Sequence, residues 1–152
     1  MSVWGVGVRL LFPAYAALLL AAWLSRQFAF LRLPFLEGTA VFLFAVLWVM
    51  AGLVGMVISA RAVTRAYAAG HLVTTGLYGR MRHPLYAAHI LGIMPGLALA
   101  VASWPMMLVC LATYAYFRHL IPQEDRYLEQ TFGDEYRAYK ARTHALFPFR
   151  KG

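Results

Sequence analysis

Long stretches without charge constrain this chain more than any other feature. Residues 39–60 run for 22 positions with no Asp, Glu, Lys or Arg, and residues 84–117 run for 34. A helix needs about 20 predominantly apolar residues to cross a hydrocarbon layer of ~30 Å. The first stretch therefore spans once, and the second is long enough for a hairpin. Ser103-Trp104-Pro105 is the one plausible turn inside it, because a proline after a small polar residue punctuates helices. Each arm is then short for a span. A further apolar segment, Leu10 to Leu24, lies between Arg9 and Arg26, and it reaches full length only if Val3 to Val8 extend it. These segments predict an all-α, polytopic membrane bundle of about four transmembrane helices.

Composition agrees. The 152 residues are 62% hydrophobic and only 13% charged, against about 25% charge in an ordinary soluble domain. No signal peptide is evident, so the first span is read as retained. The net charge of +8 raises the question of nucleic acid, but no basic soluble module is present. The basic residues flank apolar runs, where they mark the cytoplasmic side and contacts with membrane lipids. Cys110 stands alone inside an apolar run and supports neither a disulfide nor a thiolate metal site. His71, His119 and His144 lack metal-ligand spacing, and no metal is expected.

Charge placement sets the expected orientation. Segment 61–82 carries Arg61, Arg65, Arg80 and Arg82 without an acid, and the tail from 118 onward is rich in Lys and Arg. Loop 25–38 carries only Arg26 and Arg32 as cations. The positive-inside rule places both termini and the 61–82 loop in the cytoplasm. One membrane domain, 1–152, then divides into two N-terminal spans (1–60), a loop plus helical hairpin (61–121) and a tail (122–152). In the tail, Pro122 suits a helix start, and Gly133-Asp134 reads as a stop followed by a new cap. Two amphipathic helices, 122–131 and 134–143, are expected beneath the bundle, with Leu146-Phe147-Pro148-Phe149 at the membrane interface. Gly92 and Gly96 form a GxxxG that suits close helix packing, with Gly52 and Gly55 on the second span. Pro95 should kink the third. His89, three residues past Tyr86, reads as a hydrogen-bonded interior histidine.

Two charged constellations fall where a hairpin would bring them to one membrane face. One is Gly76-Leu77-Tyr78 with Arg82-His83-Pro84-Leu85-Tyr86. The other comprises Arg118, Glu124-Asp125, Glu135 and Arg142. Ionisable groups at the membrane edge are costly and are functional candidates. The pattern G-L-Y-x-x-x-R-H-P-L-Y, an uncharged hairpin, then R-x-x-x-x-x-E-D-x-x-L-x-x-x-F-G-D-E-Y-x-x-Y-K-x-R and a closing P-F resembles the isoprenylcysteine carboxyl methyltransferase family. This family lies within a wider phospholipid-methyltransferase-like superfamily, and the resemblance covers about residues 70–149. It implies an S-adenosylmethionine-dependent methyltransferase with the cofactor held by Leu77, Tyr78, Arg82, His83, Pro84, Tyr86, Glu124 and Asp125. The chemistry suits those residues. A sulfonium wants carboxylates and aromatic faces, and a cofactor carboxylate wants cationic or N–H donors. Where the family usually has two glutamates, this chain has Glu124-Asp125.

The resemblance also implies that the stretch holding Glu135 and Arg142 positions a substrate carboxylate. Seven residues apart, the two share a helix face. Arg142 suits a bidentate clamp, with Glu135 orienting it. A carboxylate acceptor is ionised at neutral pH and needs no base; an amine would need one, from Glu135 or His83. The expected acceptor is a lipophilic or prenylated molecule of isoprenylcysteine type. Alternatives are phospholipid or other amine N-methylation, an NADPH-dependent sterol-like reductase, and a non-enzymatic membrane subunit.

Overall fold

A computed structural model describes residues 6–148, all in helices and connecting segments; Val3 and Phe149, invoked above, lie outside them. The helices are α1 (Gly7–Gln27), α2 (Thr39–Ala68), α3 (Pro84–Val101) and α4 (Trp104–Arg142). By length and composition α1, α2 and α3 can each cross a membrane. The sequence pointed to four spans; α4 carries Arg118 and the charged tail on one helix, and only its first half is apolar.

Each helix buries a narrow face. On α1 the buried positions are Leu10, Ala14, Leu18, Ala21 and Ser25, the three-to-four spacing of a single stripe, and this stripe packs on α4. On α2 they are Ala45, Gly52, Ser59 and Ala66, one small residue every seven. Around that seam Phe42, Phe44, Leu47 and Val54 face outward, as a lipid-facing surface requires. Small residues let α2 approach α3 closely. A Cβ on Gly92 would stand 2.8 Å from Gly52 Cα, and one on Gly96 would stand 2.6 Å from a Val49 methyl.

α3 is irregular in the way Pro95 predicts. A π-helical segment, Ala88–Ile93, precedes the proline. Pro95 has no N–H to give to Leu91, and the Trp48 indole instead donates to the Leu91 carbonyl at 2.9 Å. The hairpin turn falls where the sequence placed it. Ala102 is left-handed (φ 51°), and the Ser103 hydroxyl caps α4 by accepting from the Met106 amide at 3.3 Å. Buried Ser25 and Ser103 hydroxyls meet at 2.7 Å, and Leu33 N donates to Ala102 O at 2.7 Å. These bonds tie the end of α1 and its following loop to the turn.

The tail corrects one expectation. Pro122 does not start a helix: α4 runs through it continuously from Trp104. Phe117, Leu120, Ile121 and Asp125 keep one face buried across the proline, and that packing outweighs the one helical bond Pro122 removes. The expected break is at Gly133, whose φ of 55° and ψ of −128° suit a residue without a Cβ. Residues 134–142, the last part of α4, therefore run in a new direction.

Candidate functional site at the basic end of the bundle

The site begins with a short pairing. Arg82 N donates to His144 O and His83 N to Ala145 O, both at 2.9 Å. The segment after α4 is thereby stitched to the segment before α3. The Arg82 guanidinium spans the joint. Its Nη1 donates to Lys140 O at 3.3 Å and to Thr143 O, and its Nη2 reaches Asp125 Oδ2 at 3.4 Å. The last carbonyls of a helix lack intrahelical partners, so a cation there satisfies them and complements the helix dipole.

Asp125 is the hub. Its side chain accepts from the Tyr136 hydroxyl, faces His83 Nε2 at 3.2 Å and lies 3.5 Å from Lys140 Nζ. Lys140 also holds Glu129 at 2.7 Å, strapping the segment beyond Gly133 back onto α4. Burial alone would raise the Asp125 pKa. The hydrogen bonds from His83 and Tyr136, with the charges of His83 and Arg82, outweigh it and hold the carboxyl well below the usual range. Burial raises the phenols of Tyr136, Tyr139 and Tyr78, so all three are neutral hydrogen-bond donors. Tyr139 uses its donor on the Tyr78 carbonyl at 2.6 Å.

Glu124, the adjacent residue, faces a cavity. Its Oε2 accepts from the Tyr86 hydroxyl at 2.8 Å and from the Val6 amide at 3.3 Å. Its Oε1 stands 3.8 Å from His83 Nδ1. The cavity holds about 150 Å³ and is partly open; a nucleoside-sized ligand would extend beyond it. Arg82, His83 and Glu124 line it with the rings of Tyr78, Tyr86, Tyr127, Tyr136 and Tyr139, and Val63, Ala66, Tyr67, His71, Leu72 and Val73 join them from the end of α2 and the segment after it.

Of the residues expected from sequence, Tyr78, Arg82, His83, Tyr86 and Glu124 converge on this cavity. Leu77, Pro84 and Asp125 do not line it; Pro84 begins α3, and Asp125 is buried behind Glu124. Glu135 and Arg142 are exposed and outside the lining. The face of their segment that turns inward carries Tyr136 and Tyr139 instead. The sequence offered those tyrosines only as the Y-x-x-Y of the resemblance and gave them no role. Their three-residue spacing on the far side of Gly133 was the available signal. Val6 had none, because nothing local announces a backbone donor to a residue 118 positions away.

The cavity fits a cationic ligand with a polar body. One carboxylate and several tyrosine rings converge on it, the chemistry that attracts a sulfonium. The Arg82 Nε is buried without a partner, while the rest of that guanidinium is committed to the protein.

Fold and site together define a polytopic α-helical membrane protein with a carboxylate- and tyrosine-lined cavity where its basic segments meet. The phospholipid methyltransferase family model matches residues 35–135, two thirds of the chain, and the chain belongs to that family. A probable protein-S-isoprenylcysteine O-methyltransferase of Oryza sativa subsp. indica is 31% identical over 51% of this chain and 41% of its own length. The cobalt-zinc-cadmium resistance protein CzcN of Cupriavidus metallidurans is 40% identical over 51% of this chain and 35% of its own. Methanethiol S-methyltransferase 1 of Bradyrhizobium diazoefficiens is 37% identical over 49% and 25%. The chain thus matches less than half the length of each of these relatives. No solved structure matches it.

Proposed function

We propose that this membrane methyltransferase-family protein transfers the methyl group of S-adenosylmethionine to a lipophilic acceptor at the cytoplasmic membrane face. The observation that carries the reading is the convergence of Glu124, His83 and the tyrosine rings on one cavity. When bound, S-adenosylmethionine would supply an electrophilic methyl on a positively charged sulfur. Glu124 would face that charge, with its orientation fixed by the Tyr86 hydroxyl and the Val6 amide. Tyr78, Tyr86, Tyr136 and Tyr139 would offer ring faces and exclude water. Asp125, buried behind Glu124, and Arg82, on the cavity wall, would hold His83 and the tail in register.

The preferred acceptor is a carboxylate of isoprenylcysteine type. It is already ionised, so the protein's task is positioning, and relatives named for isoprenylcysteine methylation share half of this chain. Exposed Glu135 and Arg142 would reach such an acceptor only from outside the cavity mouth, so the clamp is not part of this proposal. A second reading is amine methylation, favoured by the family's description and by His83 Nδ1 beside Glu124, a pair able to take a proton. The basic segments support a cytoplasmic site.

Purified protein incubated with methyl-labelled S-adenosylmethionine and either a prenylcysteine analogue or phosphatidylethanolamine distinguishes the readings. A carboxyl methyl ester releases volatile label as methanol in base, whereas an N-methyl product keeps it. Base-labile label on the prenylcysteine analogue is expected. Base-stable label on the phospholipid would move the assignment to amines.

A further inference from the structure

A second cavity, about 580 Å³, lies between α1, α2 and α3 and borders the first through Leu85 and Tyr86. Among the described residues α1 and α2 make no extensive contact, so the space between Phe12 and Val57, both of them exposed, opens toward lipid. Its walls are almost entirely apolar. Besides Tyr86, two polar side chains break that pattern: Arg61, which is exposed, and His89. His89 lines the cavity three residues beyond Tyr86, on the π-helical segment of α3, an irregularity frequently found at functional sites. The Tyr15 hydroxyl lies 2.7 Å from His89 Nδ1, and the rings meet edge to face. A phenol is the stronger donor of the two, so Nδ1 accepts and the neutral imidazole keeps its proton on Nε2. Nε2 meets no protein partner among the described residues.

We propose that His89, oriented by Tyr15, determines specificity in an intramembrane acceptor site. Its Nε2–H donates to an oxygen within the body of a membrane-borne amphiphile whose chain fills the cavity between α1 and α2. The proposal deepens the methyl-transfer reading and rests on it in its phospholipid form, since a phospholipid carries ester oxygens beside its chains and a prenyl chain carries none. The cavity sets the ligand's class: an apolar chain for the walls and one hydrogen-bond-accepting oxygen about three residues of helix, ~4.5 Å, deeper than the Tyr86 ring. A hydrocarbon lacking that oxygen would leave a donor unpaired at membrane depth, which is costly.

The test uses protein labelled with ¹⁵N-histidine in alkylphosphocholine micelles, without cofactor. It is titrated with methyl palmitate or with octadecane of similar length. Saturable movement of the His89 Nε2 resonance is expected with the ester, and about 3–10-fold tighter binding than the alkane, as one neutral hydrogen bond provides. His89→Leu should abolish the preference, and His89→Gln, which keeps an N–H donor, should restore part of it. Tyr15→Phe should narrow it by freeing the tautomer. S-adenosylhomocysteine affinity should be unchanged in all three variants. Equal affinity for ester and alkane, or a preference that survives in His89→Leu, would overturn the proposal. Failure of the methyl-transfer reading would appear separately, as absent S-adenosylhomocysteine binding to the unsubstituted protein.

Discussion

Glu124 and Asp125 are sequence neighbours that face opposite ways: Asp125 is buried among His83, Arg82 and Tyr136, while Glu124 lines the cavity. One therefore holds the site together and the other meets what binds there. Replacing each should separate affinity from stability. Glu124→Gln should weaken S-adenosylhomocysteine binding about 10–150-fold, the loss of one charge-assisted interaction, with an unfolding temperature near that of the unsubstituted protein. Asp125→Asn should cost about 3 kcal/mol of stability, in the range for breaking a buried pair. Thermal unfolding in detergent alongside calorimetry checks both. Equal effects of the two on stability would contradict the division of labour.

Asp125 also sets an acid limit. Its carboxyl is held below the usual range in the fold, so its ionised form contributes stability that is present above about pH 4, the ordinary carboxylate value. That contribution drains away as pH falls through the lower folded value. Acid titration of unfolding should show a stability loss below pH 4 that is smaller in Asp125→Asn. Parallel curves for the two proteins would show that Asp125 gains nothing from its partners.

The α2–α3 seam predicts a packing failure. Gly92→Ala would drive a Cβ against Gly52 Cα, and backbone cannot step aside as a flexible side chain does. Overpacking of this kind costs about 1–3 kcal/mol. Gly55→Ala, where a Cβ meets only the Ala88 Cβ at 3.8 Å, is the control and should not lower the unfolding temperature.

How much was legible in the sequence follows physical range. Uncharged runs marked α2 and the hairpin, because exclusion of charge from hydrocarbon acts on every residue of a span. The hairpin turn and the break at Gly133 were readable because Ser103, Pro105 and Gly133 act within a few residues. Pro122 misled for the complementary reason: its local rule lost to tertiary burial of Phe117, Ile121 and Asp125. The R-H-P segment and the Glu124-Asp125 pair were found as motifs. Which of the two acids faces the cavity depends on helix rotation about contacts far away in the chain, and sequence spacing does not encode that. The same holds for Tyr136 and Tyr139, which turn inward while Glu135 and Arg142 on the same segment turn out.

That outward placement makes a contrast. Arg142→Lys and Glu135→Gln alter exposed side chains outside the cavity. Both should keep S-adenosylhomocysteine affinity, and turnover should stay within about twofold, as surface substitutions away from such features change free energies by at most about 0.5 kcal/mol. Steady-state kinetics with the methyl acceptor checks this. A large loss of kcat/KM in Arg142→Lys would bring back the carboxylate clamp.

The claim beneath all of this is that the cavity around Glu124 and His83 holds a sulfonium-type methyl donor, and direct binding tests it. Isothermal titration of the detergent-purified protein with S-adenosylhomocysteine, and separately with NADPH, should give saturable heat with the first and none with the second. His83→Ala, with the fold intact by thermal unfolding, should weaken the first about 10–150-fold. Saturable binding of NADPH, or S-adenosylhomocysteine affinity indifferent to His83→Ala, would contradict the account.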